Sequence, residues 1–155
     1  MIPKEQQEFN AIAAARYMAA LSPVARAYLN GRGISDDTIA KFKLGEVDGS
    51  FPEHGDYEGR ISVPYITKLG GVQGFKFRRV GDDPNGGSKY LSNHMPTRLY
   101  NTLAFERAEQ AGYIAICEGE SDTWTVDGEC GLLKGSQRPH PVARRATRVG
   151  HPLGL

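Results

Sequence analysis

The chain has 155 residues, which is enough for one ordinary domain or two small ones. A hydrophobic fraction of 39% can form a core and excludes a disordered protein by composition. No apolar run is long enough to span a membrane, and the two cysteines, Cys117 and Cys130, are not spaced like zinc ligands. We therefore expect a cytoplasmic protein that uses no zinc.

The net charge of +1 is unevenly distributed along the chain. Residues 134–155 contain five Lys or Arg and no acid, together with several prolines and glycines. This composition predicts a basic, disordered tail. Such a tail either contacts nucleic-acid phosphates without sequence preference or is simply a solvated end, and the sequence leaves both interpretations open.

Residues 4–45 predict a small helical unit. Apolar residues recur at helical spacing from Phe9 to Tyr17. Ser22 precedes a proline at a first helical position, and Ser35 precedes two aspartates, so both serines are expected to be N-caps. Gly45 is expected to stop the last of these helices. By pattern alone, this unit is structural.

An antiparallel β-hairpin is predicted next. Ile61, Val63 and Tyr65 alternate with smaller or polar neighbours, and residues 72–80 form a second alternating run after a Gly-Gly turn. Pro64 cannot donate a ladder hydrogen bond, so it indicates a strand edge or a bulge. A further short extended piece follows at residues 88–91.

Cations and aromatic residues are interleaved in this hairpin region. Such a mixture suits a groove for nucleic acid, where cations bind phosphates and rings stack on bases. An ordinary solvated sheet face above an aromatic core gives the same pattern, and the pattern alone favours that interpretation. The residues concerned are Arg60, Phe75, Lys76, Phe77, Arg78, Arg79, Lys89 and Tyr90.

An acidic turn follows what looks like a buried strand at residues 113–116. Glu118 follows it after Cys117, and Asp122 lies four residues further on, at the start of a predicted helix that Gly128 should end. Open α/β sheets place their chemistry at the carboxyl ends of strands. Paired acids there suit a divalent metal with phosphate oxygens, although acids at a helix N-terminus also serve as caps. Residues 130–133 could begin one more strand.

The order of these segments resembles the RNA-polymerase core of bacterial-type (DnaG-like) DNA primases of bacteria and their phages. Residues 28–45 resemble its helical entry motif, and residues 59–64 with 71–78 resemble its basic hairpin. Residues 88–91, Ser-Lys-Tyr-Leu, resemble its Pro-Lys-Tyr-Leu motif. Residues 118–122, Glu-Gly-Glu-Ser-Asp, resemble the Glu-Gly-x-x-Asp that opens the Toprim fold.

The resemblance implies roles for individual residues. Glu118 matches an acid that acts in nucleotidyl transfer, and Glu118 with Asp122 would hold Mg²⁺ or Mn²⁺. The basic ridge that guides template and nucleotide phosphates is matched by Arg60, Arg78, Lys89 and Tyr90, to which the hairpin pattern adds Lys76.

The chain also departs from the family. No Asp-x-Asp pair follows Glu118, the last acid is Glu129, and no zinc ribbon precedes the helices. We therefore expect a truncated or split primase whose remaining metal ligands come from a second polypeptide. The expected domains are residues 1–111 (helices plus basic hairpin), 112–133 (the start of a Toprim-like domain) and 134–155 (the tail).

The sequence thus predicts an α+β fold that ends in the first βα unit of an incomplete Toprim-like α/β sheet. The implied function is part of a DNA primase that makes short RNA primers from ribonucleotides on a single-stranded DNA template, inactive by itself and working beside a replicative helicase. A non-catalytic module that binds single-stranded nucleic acid is the alternative. A Toprim nuclease or topoisomerase fragment is a third possibility.

Overall fold

The computed structural model describes residues 2–81, 87–93, 99–129 and 147–148. The two helices that follow Ser22 and Ser35 begin where these capping residues predict. The hydroxyl of Ser22 accepts a hydrogen bond from the Ala25 amide at 3.2 Å, and Ser35 accepts one from Thr38 at 3.2 Å. The helices are α1 (Lys4–Ala19), α2 (Pro23–Gly31), α3 (Asp36–Lys41), α4 (Ala104–Ala111) and α5 (Glu120–Glu129), with a 3₁₀ turn at Pro52–Tyr57.

Four antiparallel strands form the central sheet, in the order β1-β2-β3-β4. They are β1 (Gly45–Glu46), β2 (Ile61–Ile66), β3 (Val72–Arg78) and β4 (Tyr90–Ser92). The predicted hairpin is therefore confirmed. The ladder between β2 and β3 shifts between Pro64 and Ile66, and β1 pairs only with Ile61 and Ser62, so Pro64 lies at a bulge past the end of β1.

Both faces of this sheet are covered. Phe75 and Phe77 are fully buried against α1, where Tyr17 joins the same cluster. On the opposite face, Ile61 and Val63 pack with residues of α2 and α3. That second face is not an ordinary solvated sheet surface, because Arg78 is 1% exposed there and the Lys76 side chain, although 37% exposed, is paired with Glu120 of α5.

Gly45 does not stop α3, which ends at Lys41. Lys43 already has a positive φ of 51°, and Gly45 begins β1 instead. A Cβ on Gly45 would lie 2.3 Å from the backbone carbon of Tyr17. Glycine is needed there because α1 and β1 approach each other backbone to backbone.

The carboxyl-terminal region differs from its prediction. β5 (Ala115–Ile116) has two residues and pairs antiparallel with β6 (Thr147–Arg148), its one neighbour in the described ranges. Tyr113 and Ile116 are 40% and 55% exposed, so the prediction of a buried strand is wrong. A strand is buried only when other elements cover its faces.

The helix after the acidic turn is longer than predicted, since α5 continues through Gly128 to Glu129. The strand predicted at residues 130–133 lies outside the described residues, as does most of the predicted tail at 134–155 apart from β6. None of the helices in the described ranges has the length and apolar character needed to cross a bilayer. The fold is a mixed helix and antiparallel-sheet architecture, as the sequence predicts.

Candidate active-site cleft

A cleft of about 330 Å³ separates the helix-covered face of the sheet from the β5–α5 turn. Its floor is formed by side chains of β2 and β3, and its opposite wall is the turn that carries Glu118. The polar residues that line it are Tyr65, Lys76, Tyr100, Asn101, Glu118, Glu120 and Thr123. The acidic turn and one predicted cation of the hairpin therefore share one concave site, although Lys76 and Glu118 are 42 positions apart in the sequence.

Glu118 and Asp122 stand at the amino-terminal end of α5. The carbonyl of Gly119 accepts the Thr123 amide at 3.1 Å, which ties the turn directly to the first turn of the helix. A Cβ on Gly119 would lie 4.0 Å from Oδ2 of Asp122, so that carboxylate is beside the turn. Two carboxylates so placed can contribute to a Mg²⁺ site, which commonly takes one or two protein carboxylates together with phosphates and water.

Within the described ranges, no group of three His, Cys, Asp or Glu side chains is arranged to hold a metal ion. Glu118 and Asp122 therefore fit a metal that is shared with phosphate oxygens, and they do not make a closed protein cage.

Lys76, which the sequence assigned to phosphate binding, is paired with an acid inside the cleft. Its Nζ lies 2.5 Å from Oε1 of Glu120, and the Tyr65 hydroxyl donates to the same oxygen. Burial by itself would raise the pKa of the Glu120 carboxyl, but the hydrogen bonds from Lys76 and Tyr65 outweigh it and lower that pKa. Glu120 is thus ionised and buried, with only 8% of its surface exposed.

Arg78 lies between two tyrosines. Its guanidinium donates to the hydroxyls of Tyr28, at 3.1 Å, and Tyr90, and its central carbon lies 5.8 Å and 5.2 Å from the centres of those rings. Burial opposes the charge of Arg78, but the bond with Tyr28 and the contacts with Tyr90 raise its pKa. Arg78 is 1% exposed, so a phosphate could reach it only if one of the tyrosines moved.

Beyond Arg78, at one end of the sheet, Lys89 is exposed and Arg60 is partly exposed. Arg60 donates to the Ser88 carbonyl at 3.0 Å, and Arg79 donates to the Gly87 carbonyl at 2.8 Å. The Lys89 carbonyl accepts the Arg79 amide at 2.9 Å. The sequence predicted Arg60 and Lys89 together, and the structure brings them together on the surface.

Sequence reasoning missed the polar residues that organise the cleft. Glu120 lies within the recognised acidic motif but was treated as a spacer, and Tyr65 was read only as a strand residue. Their contacts join positions 44 and 55 residues apart in the sequence. The sequence offered one signal for these contacts, namely Lys76, a cation between two phenylalanines of a predicted strand. A cation in that position needs a polar partner from elsewhere in the fold.

Several solved structures resemble this fold. The RNA polymerase domain of Mycobacterium tuberculosis primase DnaG, solved with a double-stranded DNA oligomer carrying a 6-nucleotide overhang, is 23% identical with a TM-score of 0.63, over 81% of this chain and 51% of that one. The Escherichia coli primase catalytic core is 22% identical with a TM-score of 0.56, over 79% and 51%. The zinc-binding and RNA polymerase domains of Aquifex aeolicus primase are 21% identical with a TM-score of 0.61, over 83% and 41%.

This chain thus spans about half the length of these structures, or less. No protein-family model and no curated protein sequence matches it. At this level of identity the similarity concerns architecture, over about four fifths of this chain. The chain has a DnaG-primase-like fold.

Proposed function

We propose that this chain is part of a DNA primase that synthesises short RNA primers on single-stranded DNA. One observation carries the proposal: a chain with a primase-like fold places Glu118 in a cleft whose other side presents Lys76. The similar Mycobacterium tuberculosis domain was solved with DNA, which supports a nucleic-acid template for this chain as well.

The chemistry of the cleft suits nucleotidyl transfer. In that reaction a primer 3′-hydroxyl attacks the α-phosphorus of a ribonucleoside triphosphate, a new O–P bond forms, and pyrophosphate leaves as the α–β bond breaks. Bound Mg²⁺ or Mn²⁺ supplies charge neutralisation for such a transfer. Glu118 and Asp122 would hold that ion, and Glu118 is also within the cleft where it can accept the hydroxyl proton.

The template would contact the exposed end of the sheet. Arg60 and Lys89 present their charges there, and cations at a surface bind phosphates by releasing counterions. Tyr90 and Arg78 lie immediately behind them and hold one another. In this arrangement Arg60 and Lys89 bind the backbone, whereas Arg78 and Tyr90 keep β4 in place.

A second polypeptide is part of the proposal. Two carboxylates complete only a fraction of the ligands that a two-metal phosphoryl-transfer site uses. A partner that brings further acids to the open side of the cleft would complete the site, so the chain by itself should be inactive. A phage or bacterial cytoplasm, with a replicative helicase as a further partner, is the setting that we propose.

A binding module for single-stranded nucleic acid is the second candidate. The exposed Lys89 and the partly exposed Arg60 favour it, because these cations need no metal or partner to bind phosphates. The two candidates differ in what an added polypeptide does. A primase gains polymerisation from a partner that supplies acids, whereas a binding module gains none.

Primer synthesis on single-stranded DNA tests the proposal. Labelled ribonucleotides are supplied with Mg²⁺ or Mn²⁺ to the chain alone and to the chain with the polypeptide of the adjacent reading frame. We expect synthesis only in the mixture and its loss with Glu118→Gln. Glu106→Gln is the matched control, because Glu106 lies on the surface of α4 and pairs with Lys68 outside the cleft. Salt-sensitive DNA binding without synthesis in any mixture would leave the binding module.

A further inference from the structure

We propose that Glu120 is a positioning residue: through Lys76 and Tyr65 it anchors the first turn of α5 to the sheet and thereby fixes the position of Glu118 in the cleft and of Asp122 beside the turn. The importance of this anchor for catalysis rests on the proposed function. The anchoring itself is a property of the fold and can be measured without any activity.

The geometry of the anchor is specific. Oε1 of Glu120 receives both the Lys76 ammonium and the Tyr65 hydroxyl, so strands β2 and β3 each supply one donor to the helix. Lys76 also lies 5.9 Å from the centre of the Tyr65 ring, which keeps the two donors side by side. Charge-assisted hydrogen bonds are stronger and more directional than contacts between apolar side chains.

A second anchor follows one helical turn later. Trp124 is 1% exposed within the core on the helix-covered face of the sheet, and its indole nitrogen donates to the Tyr100 hydroxyl at 2.9 Å. Residues four apart lie on the same side of an α-helix. Glu120 and Trp124 therefore hold α5 at two points along one side, which fixes the rotation of the helix about its axis.

This rotation decides where the acids point. Asp122 is two residues from Glu120, so its side chain leaves the helix on a different side from the two anchors. Glu118 is two residues before Glu120 and reaches the helix through the Gly119 carbonyl, which binds the Thr123 amide. Without the Glu120 anchor, Trp124 alone would allow the first turn of α5 to fray and carry both acids with it.

The ion pair of Lys76 with Glu120 also distinguishes Glu120 from the two neighbouring acids, Glu118 and Asp122. Lys76 neutralises Glu120, and burial removes Glu120 from contact with solvent cations. Glu118 lines the cleft, and Asp122 lies beside the turn. One acid of the motif thus serves the fold, whereas Glu118 and Asp122 are the acids that the proposed function assigns to a cation.

Amide hydrogen exchange of the full chain tests the anchor. In Lys76→Met and in Glu120→Gln we expect exchange of the Thr123 and Trp124 amides to accelerate by about tenfold or more relative to β3, because the first turn opens locally and breaks bonds such as that from the Thr123 amide to the Gly119 carbonyl. Lys76→Arg keeps the charge and the donors and should retain most of the protection. Lys68→Met is the matched control, since it breaks an exposed ion pair with Glu106 and should leave α5 unchanged.

Kinetics of the primer-synthesis mixture test the consequence. A displaced acid should lower kcat by roughly 10- to 100-fold with little change in the ribonucleotide KM. The Lys68→Met variant should not reproduce this split.

The two outcomes are distinguishable. Unchanged exchange of the Thr123 and Trp124 amides in Lys76→Met, in a protein that still protects β3, would overturn the anchor. Altered exchange with a wild-type kcat would overturn the role in positioning. An inactive wild-type mixture would overturn the proposed function instead, and the exchange result would still decide whether Glu120 anchors α5. If the other variants do not fold, Tyr65→Phe tests the same anchor by amide exchange, because it removes one donor to Glu120 and keeps the ring.

Discussion

Two apolar strands of this protein have very different surroundings. β3 lies inside the four-stranded sheet, and its Phe75 and Phe77 have no exposed surface. β5 pairs with a single two-residue strand in the described part of the chain, and Ile116 is 55% exposed. Both segments read as strands from their apolar residues. The difference shows that burial is conferred by neighbouring elements, so the region that carries Glu118 depends on a few specific anchors.

The largest effect is expected in the buried strand. Phe77 stacks on Tyr57 at 4.0 Å between ring centres and is fully buried. Phe77→Ala should lower the free energy of unfolding by about 3–5 kcal/mol, because a large buried ring leaves a cavity. Urea unfolding measures this. Ile116→Ala is the matched change in β5 and should cost less than about 1 kcal/mol. Equal losses at the two positions would contradict the contrast between the strands.

The next largest effect on stability distinguishes a buried cation, Arg78, from an exposed one, Lys89. Arg78→Met should cost about 2–3 kcal/mol of stability, because it removes a charged partner from Tyr28 and Tyr90. Lys89→Ala should leave stability within about 0.5 kcal/mol, since Lys89 is exposed.

The two substitutions should have the reverse order of effect on DNA binding, where Lys89→Ala should have the larger effect. Lys89→Ala should reduce the salt dependence of binding to single-stranded DNA by about one phosphate contact. Arg78→Met should leave that salt slope unchanged at temperatures where the protein is folded. A reduced slope in Arg78→Met, measured by fluorescence anisotropy across a salt series, would make Arg78 a phosphate ligand as the resemblance implied.

The smallest expected effect is a pH dependence of the sheet core. His54 is 2% exposed among aromatic rings and bonds Tyr17 at 2.8 Å. Burial lowers the pKa of His54 below 6.5, so the unfolded state takes up a proton before the folded state does. Stability should therefore be complete above pH 6.5 and decline as the pH falls below it.

Urea unfolding between about pH 7 and pH 5 measures this decline, in a range above the ordinary titration of carboxyl groups. His54→Gln should flatten the profile while keeping a polar group beside Tyr17. The other three histidines lie outside the described residues. A slope that persists in His54→Gln would assign the pH dependence to one of them.

Local signals in the sequence predicted the elements well. The caps Ser22 and Ser35, the alternation of β2 and β3, and the bulge at Pro64 all act over a few residues, so they can be read without tertiary information. The errors came where a local signal was weaker than a distant contact. Gly45 was read as a helix stop, whereas the close approach of α1 explains it.

The candidate site was predictable only in part. Glu118 and Lys76 were chosen from residue type and motif, and the structure brings both to one cleft. Their orientation could not be predicted, because Lys76 is directed by Glu120 and Arg78 by Tyr28, each from another element of the fold. Side-chain charge predicts that a residue needs a partner, but the spacing along the chain does not say which one.

The sequence by itself determined the elements, the hairpin and the acidic turn, because propensity, capping and alternation are local physical effects. Tertiary structure alone decided which cations are buried and which reach solvent. Lys76 and Arg78 lie on one face of β3, which the sequence predicted to bind nucleic acid. In the folded chain Glu120 of α5 pairs with Lys76, and Tyr28 of α2 accepts a hydrogen bond from Arg78. Removing a charge from water is favourable only when a partner replaces the solvent, and only the folded chain supplies that partner.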